Sequence, residues 1–218
     1  MNLTLQIFIL LFSAIFHEVG HGYVAYRLGD PTAKNLNRLS FNPMVHIDLY
    51  MTIIMPLVLI LSGLPAFGGA KPVPVNPYRF RGVSPRKGMM LVALGGPLVN
   101  FALALIALLL IHVSHALGLP DFCNIFLFYT LFINMILGAF NMIPIPPLDG
   151  SRVLAAFLPI DKANSYMKLE RYGLFIIFGL ILIGAIEPVL VFVQKFIFSI
   201  IPYDFAIFIL NYFSNTLS

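Results

Sequence analysis

Two histidines and a glutamate stand close together near the start of the chain, in the sequence His17-Glu18-Val19-Gly20-His21. Residues four apart on a helix share one face, so the two imidazole rings could bind one Zn²⁺ ion. Glu18 could then reach a water molecule on that metal. The neighbouring residues are apolar, and ionisable side chains in an apolar span are costly unless they have a function. The pattern therefore predicts a metal site rather than two histidines that only hydrogen-bond across helices.

A third ligand is needed, because a zinc ion at a catalytic site takes three protein ligands and keeps one position open. His112 and His115 come near the far end of a later apolar stretch, whereas His17 and His21 come near the opposite end of theirs. The third ligand should therefore lie at the matching end of another stretch. Asp149 is in that place.

Asp149 follows a proline-rich break, Pro144-Ile145-Pro146-Pro147. Prolines stop a helix and remove backbone donors, so an unwound segment at membrane depth must line a cavity or be buried in protein. Gly150 gives the chain freedom to turn at this point. These features predict that Asp149 is the third zinc ligand. Two alternatives stay open: Asp149 as an ordinary N-cap of a helix starting near Ser151, and His46 as the ligand.

The composition indicates what surrounds these residues. Of the 218 residues, 60% are hydrophobic and only 10% are charged, and the mean hydropathy is +0.94. Soluble domains carry roughly 25% charged residues, so this chain lacks the polar surface of a water-facing globule and is too apolar to be disordered. The single cysteine, Cys123, excludes a disulfide framework. The net charge of +4 suits basic loops beside a membrane better than a nucleic-acid-binding surface.

Most of the chain is arranged in apolar stretches. Since a hydrocarbon core of about 30 Å needs about 20 helical residues, six stretches are candidates to enter or cross a membrane. They are Leu3–Tyr26, Leu49–Ala70, Met89–Leu119, Phe122–Pro147, Tyr172–Val193 and Phe196–Phe213. The first stretch lacks the basic n-region and the A-x-A site of a signal peptide. The predicted fold is an all-α polytopic membrane protein with about four to six transmembrane segments.

Basic residues are concentrated in three loops, 27–48, 71–87 and 150–171, which the positive-inside rule places in the cytoplasm. The loops on both sides of 49–70 then lie on the same side of the membrane. We therefore predict a re-entrant or short β-containing element after the first span, with an ordinary short span as the alternative. Whether 188–218 forms another span or lies along the outer interface is also open.

At three places the sequence resembles the site-2 protease family, the zinc metalloproteases that cut substrates within the membrane. The first is the His-Glu-Val-Gly-His motif of residues 17–21, and the second is Asn141–Gly150, which fits the family pattern N-x-x-P-x-x-P-x-D-G. The third is the Gly-Gly-Pro-Leu-Val-Asn sequence of residues 95–100. Asn42–Asp48 and Gly68–Val75 resemble the compact bacterial branch, which has no PDZ domain.

The resemblance implies a role for each matching residue. His17, His21 and Asp149 would bind one Zn²⁺ per chain. Glu18 would act as the general base. Asn141 would hydrogen-bond the substrate backbone near the scissile carbonyl. A further residue, Asn100, would either help to bind the substrate or only satisfy a contact between helices.

The implied function is hydrolysis of peptide bonds in membrane-embedded substrate helices through a zinc-activated water. A helix hides its carbonyl groups, so the substrate must unwind, and segments 34–45 and 69–80 could offer a strand edge to it. The chain would be a single metalloprotease domain, 1–218, with its catalytic core in 1–171 and C-terminal membrane segments in 172–218.

The charge distribution and the resemblance together imply a location and partners. A multi-pass protein of the bacterial cytoplasmic membrane is expected, with the active site toward the cytoplasm. The expected partners are membrane proteins with a transmembrane helix and the lipid bilayer, and no nucleic acid.

Two other classes of function would use some of the same residues. A zinc-binding membrane transporter needs relay sites along its path, whereas the candidate ligands here converge at one depth. A non-catalytic membrane scaffold would not need Glu18, because metal binding alone requires no base.

Overall fold

The computed structural model describes residues 2–62 and 68–217, and this part of the chain is helical. The α-helices are α1 (Asn2–Arg27), α2 (Thr32–Asn35), α3 (Met55–Leu61), α4 (Pro85–Leu117), α5 (Asp121–Asn141), α6 (Asp149–Phe157), α7 (Ile160–Met167), α8 (Gly173–Leu182), α9 (Glu187–Ile200) and α10 (Tyr203–Leu217). A π-helix covers Leu49–Ile54, and 3₁₀ turns cover Pro43–Val45, Pro77–Arg79 and Lys168–Tyr172. The prediction of an all-α membrane protein is confirmed.

None of the described residues forms a β-strand, so the structure does not contain the predicted short β element there. The segment 70–76 has no helical or strand assignment and is not paired in a sheet. Pro72, Pro74 and Pro77 explain why, because each proline lacks the backbone N–H that a strand ladder uses.

Three of the described helices are long and apolar enough to cross a membrane: α1 over Thr4–Arg27, α4 and α5. A fourth span is added only if the helical run 160–182 and α9 count as one, and these two are bent by 69°. The predicted number of four to six transmembrane segments is therefore not confirmed. The predicted stretch Tyr172–Val193 breaks where Gly184, with a φ of +70°, turns the chain before α9.

The longest helix, α4, has clear signals at both ends. The Ser84 hydroxyl accepts a hydrogen bond from the Lys87 N–H at 3.4 Å, and Pro85 occupies the first helical position. Gly118 ends the helix in the left-handed conformation, with a φ of +61°. The helix therefore begins before the predicted Met89 and presents 33 residues to its neighbours.

Helices α1 and α4 cross with their backbones in contact at Gly20 and Gly95. A Cβ atom on Gly20 would lie 2.7 Å from the Gly95 carbonyl oxygen, and one on Gly95 would lie 2.8 Å from the Gly20 oxygen. Small residues permit this close approach in membrane helix pairs. Helix α5 packs on both α1 and α4, so these three helices form the bundle that carries His17 and His21.

Two hydrogen bonds hold the beginning of the segment 46–71 next to its end. The Lys71 N–H donates to the His46 carbonyl at 2.8 Å, and the Thr52 hydroxyl donates to the Gly69 carbonyl at 2.7 Å. Between them, α3 has only 7 residues, and residues 63–67 lie outside the described part. A span needs about 20 residues. The two ends of this segment therefore lie side by side, and whether it re-enters or crosses the membrane stays a prediction.

The C-terminal helices α9 and α10 cover one side of the bundle. Val193, Ile197, Phe205 and Ile209 are buried in one apolar cluster with residues of α4 and α5. With 14 and 15 residues, neither helix is long enough to span a membrane alone. The described part of 188–218 therefore packs against the spans and adds no straight span of its own.

Candidate active site

The structure brings His17, His21 and Asp149 together. The two histidines lie one turn apart on α1, with their Nε2 atoms 3.0 Å from each other. Asp149, the first residue of α6, places Oδ2 at 3.1 Å from His17 Nε2 and at 3.2 Å from His21 Nε2. Within the described ranges, this is the one group of His, Cys, Asp and Glu side chains that converges closely enough for a metal ion.

The spacing of these three ligand atoms suits zinc. With bonds of about 2.0–2.1 Å, the ligands of a tetrahedral zinc ion lie roughly 3.3 Å apart, close to the observed 3.0–3.2 Å. Two imidazoles and one carboxylate are also a donor set of hydrolytic zinc sites, and they leave the fourth position open. The residues present therefore fit a catalytic zinc ion.

The other ring nitrogen of each histidine is held by an oxygen atom. His17 Nδ1 lies 2.6 Å from Asn100 Oδ1, and His21 Nδ1 lies 2.7 Å from the Val92 carbonyl oxygen. Both oxygens can only accept, so each Nδ1 donates and each Nε2 keeps its lone pair for a metal. The Gly96 N–H is 3.2 Å from His21 Nδ1, but a protonated nitrogen cannot accept, so the shorter contact with Val92 decides the assignment.

Asp149 is a carboxylate at neutral pH. Without a metal, burial raises the pKa of this carboxyl group, but protons on the adjacent His17 and His21 rings outweigh burial and lower the pKa to about 2. A carboxylate that faces two ring nitrogens requires protons or a metal cation between these atoms.

Helix geometry excludes the alternative role of Asp149 as an N-cap. Leu148 occupies the cap position of α6 without a side-chain cap bond, and Asp149 is already helical. Gly150 also differs from the prediction, because its φ is not in the left-handed region. An added Cβ on Gly150 would instead collide with the Met142 carbonyl. Close packing, not a turn, explains this glycine.

Gly96 makes room for the histidine rings. A Cβ atom at this position would lie 2.5 Å from His21 Nε2 and 2.6 Å from His17 Nε2. In the sequence, Gly95 and Gly96 were only part of a family motif. In the structure the two glycines have different roles: Gly95 contacts the backbone of α1, and Gly96 faces the two histidine rings.

Glu18 is outside this group of three ligands. Its Oε2 accepts a hydrogen bond from the Val73 N–H at 2.7 Å. Arg38 holds the same segment, because its guanidinium donates to the carbonyls of Lys71 and Pro72 at 2.8 and 3.3 Å. These contacts could not be predicted from the sequence, since each joins residues at least 33 positions apart.

Asn141 is the last residue of α5, and its Nδ2 donates to the Leu137 carbonyl at 3.0 Å. Residues seven apart on a helix share a face, so Asn141 lies on the same side of α5 as Asn134, which contacts α1 and α4. The role of Asn141 in substrate binding stays a prediction.

Asn100 lies behind His17 and is fully buried. Its Nδ2 donates to Asn134 Oδ1 at 2.9 Å and to the Ser13 carbonyl at 3.3 Å, while its Oδ1 accepts from His17. With its amide engaged in this way, the geometry favours a contact between helices over direct contact with substrate. Ser13 and Asn134 were not among the predicted site residues, although a polar residue inside an apolar span is a usable signal.

The remaining histidines do not join the converging group. His46 is buried, and its Nε2 donates to the Ser40 carbonyl at 2.7 Å. At the other end of α4, His115 Nε2 lies 3.8 Å from Asp204 Oδ2. The alternative of His46 as the third ligand therefore has no support in the geometry.

Arg86 ties α6, the helix of Asp149, to α4. Its Nε donates to the Ala155 carbonyl at 2.9 Å, and its Nη2 donates to the carbonyls of Ala155 and Leu158. The end of a helix leaves carbonyls unpaired, and a cation there also suits the helix dipole. Arg86 was not predicted as part of the site.

Comparison with known proteins identifies one matching family and several similar proteins. The model of peptidase family M50 matches residues 5–122 and 121–184. "Putative zinc metalloprotease YwhC" of Bacillus subtilis is 37% identical over 175 residues, which cover 78% of this chain and 75% of that protein. "Zinc metalloprotease MJ0392" of Methanocaldococcus jannaschii is 27% identical over 208 residues, which cover 88% of this chain and 47% of that protein.

A third relative, "Putative zinc metalloprotease Rip2" of Mycolicibacterium smegmatis, is 27% identical over 180 residues, which cover 81% of this chain and 66% of that protein. No solved structure matches the chain. The family match covers most of the chain and includes both histidines, Glu18 and Asp149. We conclude that the chain belongs to peptidase family M50, the site-2 protease family, and is a zinc metalloprotease embedded in the membrane.

Proposed function

We propose that this protein is an intramembrane endopeptidase that hydrolyses peptide bonds of membrane-embedded substrate helices, with one zinc ion per chain. His17, His21 and Asp149 bind the metal. The observation that carries the proposal is the convergence of two Nε2 atoms and one Oδ2 atom within 3.2 Å of one another, beside helices long enough to span a membrane.

When bound, zinc supplies a water of lowered pKa, about 7, and a Lewis acid for the peptide carbonyl. Glu18 acts as the general base: its carboxylate accepts a proton at the site and passes it to the leaving amine. The hydrogen bond from the Val73 N–H holds one carboxylate oxygen of Glu18, and the second oxygen is available for the proton. Glu18 needs no bond to the metal for this role.

The substrate helix must unwind before its carbonyl groups can be attacked. The segment 70–76 is neither helix nor strand and contacts Glu18 through Val73, so the unwound part of the substrate lies beside this segment. Asn141, at the end of α5, hydrogen-bonds the substrate backbone near the scissile carbonyl and stabilises the developing oxyanion.

The active site faces the cytoplasm, in a bacterial cytoplasmic membrane. Arg27 ends α1 only six residues after His21, which is about 9 Å along a helix. The basic loops 27–48 and 71–87 lie beside this end of α1, and the positive-inside rule places them in the cytoplasm. This arrangement keeps the path for water short. Residues 1–218 act as one membrane domain.

The purified protein tests this proposal with a reporter that contains one transmembrane helix. Cleavage should stop with a zinc chelator and return when zinc is added. Glu18→Gln should keep one zinc per chain but lose several orders of magnitude in turnover, since the base is gone and the ligands remain. Glu187→Gln, the same change at an exposed site in α9, is the matched control and should cleave normally.

Three outcomes would contradict the proposal. Ordinary cleavage by Glu18→Gln would refute the general-base mechanism. Cleavage of soluble peptides but not of the reporter helix would refute the substrate class. Zinc passage across vesicles without any cleavage would favour the transporter alternative.

A further inference from the structure

Three polar side chains inside the spans are not used by the mechanism above. Ser13 in α1 is 3% exposed, and Asn100 in α4 and Asn134 in α5 are 0% exposed. A buried amide without partners destabilises a protein, and more so where lipid surrounds the helices. These residues bond to one another across all three spans, so their arrangement needs an explanation beyond apolar packing.

The hydrogen bonds among them have a fixed direction. Asn134 Nδ2 lies 2.9 Å from the Thr130 carbonyl and 2.9 Å from Ser13 Oγ. A backbone carbonyl can only accept, so the NH₂ group of Asn134 must be on this side and its Oδ1 must face Asn100. Asn100 then has to present its own NH₂ group to that Oδ1, at 2.9 Å, and to the Ser13 carbonyl, at 3.3 Å.

The same hydrogen-bond argument fixes which atom of Asn100 faces His17. With its NH₂ group turned toward α5 and α1, Asn100 can only present Oδ1 to the ring, at 2.6 Å from Nδ1. An amide oxygen accepts and cannot donate, so Nδ1 must carry the proton. The Nε2 atom on the opposite side of the ring then has a free lone pair. If Asn100 were flipped, Nδ1 would have to accept and Nε2 would hold the proton.

We infer that Asn134 and Ser13 are positioning residues which, through Asn100, keep His17 in the tautomer that can bind zinc. The inference rests on the proposed role of His17 as a zinc ligand. His21 needs no such chain, because the Val92 carbonyl, a backbone group, accepts from its Nδ1 directly. A polar group that holds a metal-binding histidine typically contributes 10–100-fold to metal affinity.

Two substitutions of Asn134 separate this role from simple packing. Asn134→Leu removes the acceptor that orients Asn100, so zinc affinity of the full chain in detergent should fall roughly 10–100-fold in competition with a chelator. Asn134→Asp keeps an acceptor facing Asn100 and should bind zinc within a few-fold of the wild type. If Asn134 only packed between helices, Asn134→Asp should bind zinc more weakly than Asn134→Leu. A carboxyl group buried in a span is less favourable than a leucine.

Nitrogen-15 chemical shifts of the zinc-free protein report the tautomer directly. His17 Nδ1 should be protonated in the wild type and in Asn134→Asp, whether or not Nε2 also carries a proton toward Asp149, and part of the molecules should lose this Nδ1 proton in Asn134→Leu. Asn124→Leu is the matched control, since Asn124 also joins α5 to α4, through Ser114, at 2.5 Å, but has no bond to a histidine. This variant should keep both the tautomer and the zinc affinity.

The outcomes also distinguish this inference from the proposed function. Unchanged zinc affinity in Asn134→Leu, or an unprotonated Nδ1 of His17 in Asn134→Asp, would overturn the role of the amides while leaving the metal site intact. Unchanged zinc content in His17→Ala would instead overturn the proposed metal site. If Asn134→Leu does not fold, the tautomer measured in Asn134→Asp still decides.

Discussion

The two halves of the proposed metal site are built in different ways. The half with His17 and His21 lies inside α1, where helical spacing places both rings and the neighbouring span α4 holds each Nδ1. The half with Asp149 lies at the start of α6, after the irregular segment 142–148, and depends on contacts at the far end of that helix.

This difference concerns what holds each ligand in place. The histidines are set by a rigid helix whose backbone touches α4 at Gly20 and Gly95. Asp149 is set by packing at a chain break, where the position of a short helix decides where one carboxylate points. We therefore expect changes in the first half to remove the metal, and changes that only support the second half to weaken it.

The largest effect is expected for His17→Ala and His21→Ala. Either change leaves two protein ligands, one fewer than a catalytic zinc ion requires, so zinc content and cleavage should both fall to background. Zinc per chain is measured after purification, and cleavage is measured on the reporter helix. His112→Ala, at an exposed position of α4, should change neither. Near-stoichiometric zinc in either histidine variant would show that the substituted histidine is not a zinc ligand.

A smaller but still large effect is expected for Asp149→Asn. The amide keeps the shape of the side chain but loses the negative charge that offsets part of the zinc charge in a buried site. Zinc affinity should fall by more than the 10–100-fold typical of a supporting hydrogen bond, and cleavage should be lost. Zinc binding and proteolysis both at wild-type level would move the third ligand elsewhere.

The sequence predicted the histidine half from local spacing alone. Helical periodicity relates His17 to His21 without knowledge of any other segment. Asp149 was proposed because it follows the proline break after α5, at the end of the spans that matches His17 and His21, and the family pattern agreed with this choice. The contacts that hold both halves, from Asn100, Val92 and Arg86, join residues distant in sequence and follow no local pattern.

The fold shows the same contrast: the spans could be predicted from the sequence, whereas the irregular segments could not. The apolar stretches 3–26, 89–119 and 122–147 correspond to α1, α4 and α5, because length and hydropathy alone define a span. Segments with many prolines and glycines were less predictable, since their shape depends on contacts. The β element expected after the first span is absent from the described residues for this reason, and the stretch 172–193 is two helices with a bend.

An intermediate effect is expected for Gly96→Ala, which tests how tightly α4 packs on the histidine half. The added Cβ would lie 2.5–2.6 Å from both Nε2 atoms, so the rings or the helices must move apart. We expect zinc affinity to fall roughly 10–100-fold, comparable with the loss of a supporting hydrogen bond. Gly179→Ala in α8, where nothing lies within 4 Å of the new Cβ, is the matched control and should bind zinc normally.

The smallest effect is expected for Arg86→Met, which acts on the second half without touching a ligand. The change removes charged hydrogen bonds to the carbonyls of Ala155 and Leu158 at the end of α6. Hydrogen bonds to charged groups contribute about 1.5–3 kcal/mol, so the free energy of unfolding should decrease by about this amount. Asp149 should then be held less firmly, and zinc affinity should fall up to about tenfold, less than the typical effect of a group bonded directly to a ligand.

Two further variants show whether this loss comes through α6. Lys87→Met removes the neighbouring positive charge from an exposed position and should leave zinc affinity unchanged. Combining Arg86→Met with Asp149→Asn should weaken zinc binding no more than Asp149→Asn alone, because Arg86 acts only through the position of Asp149. Combining Arg86→Met with Gly96→Ala should give additive losses, since these residues support different halves. Additive losses in the first pair would show that Arg86 supports the whole site, and the contrast between the halves would fail.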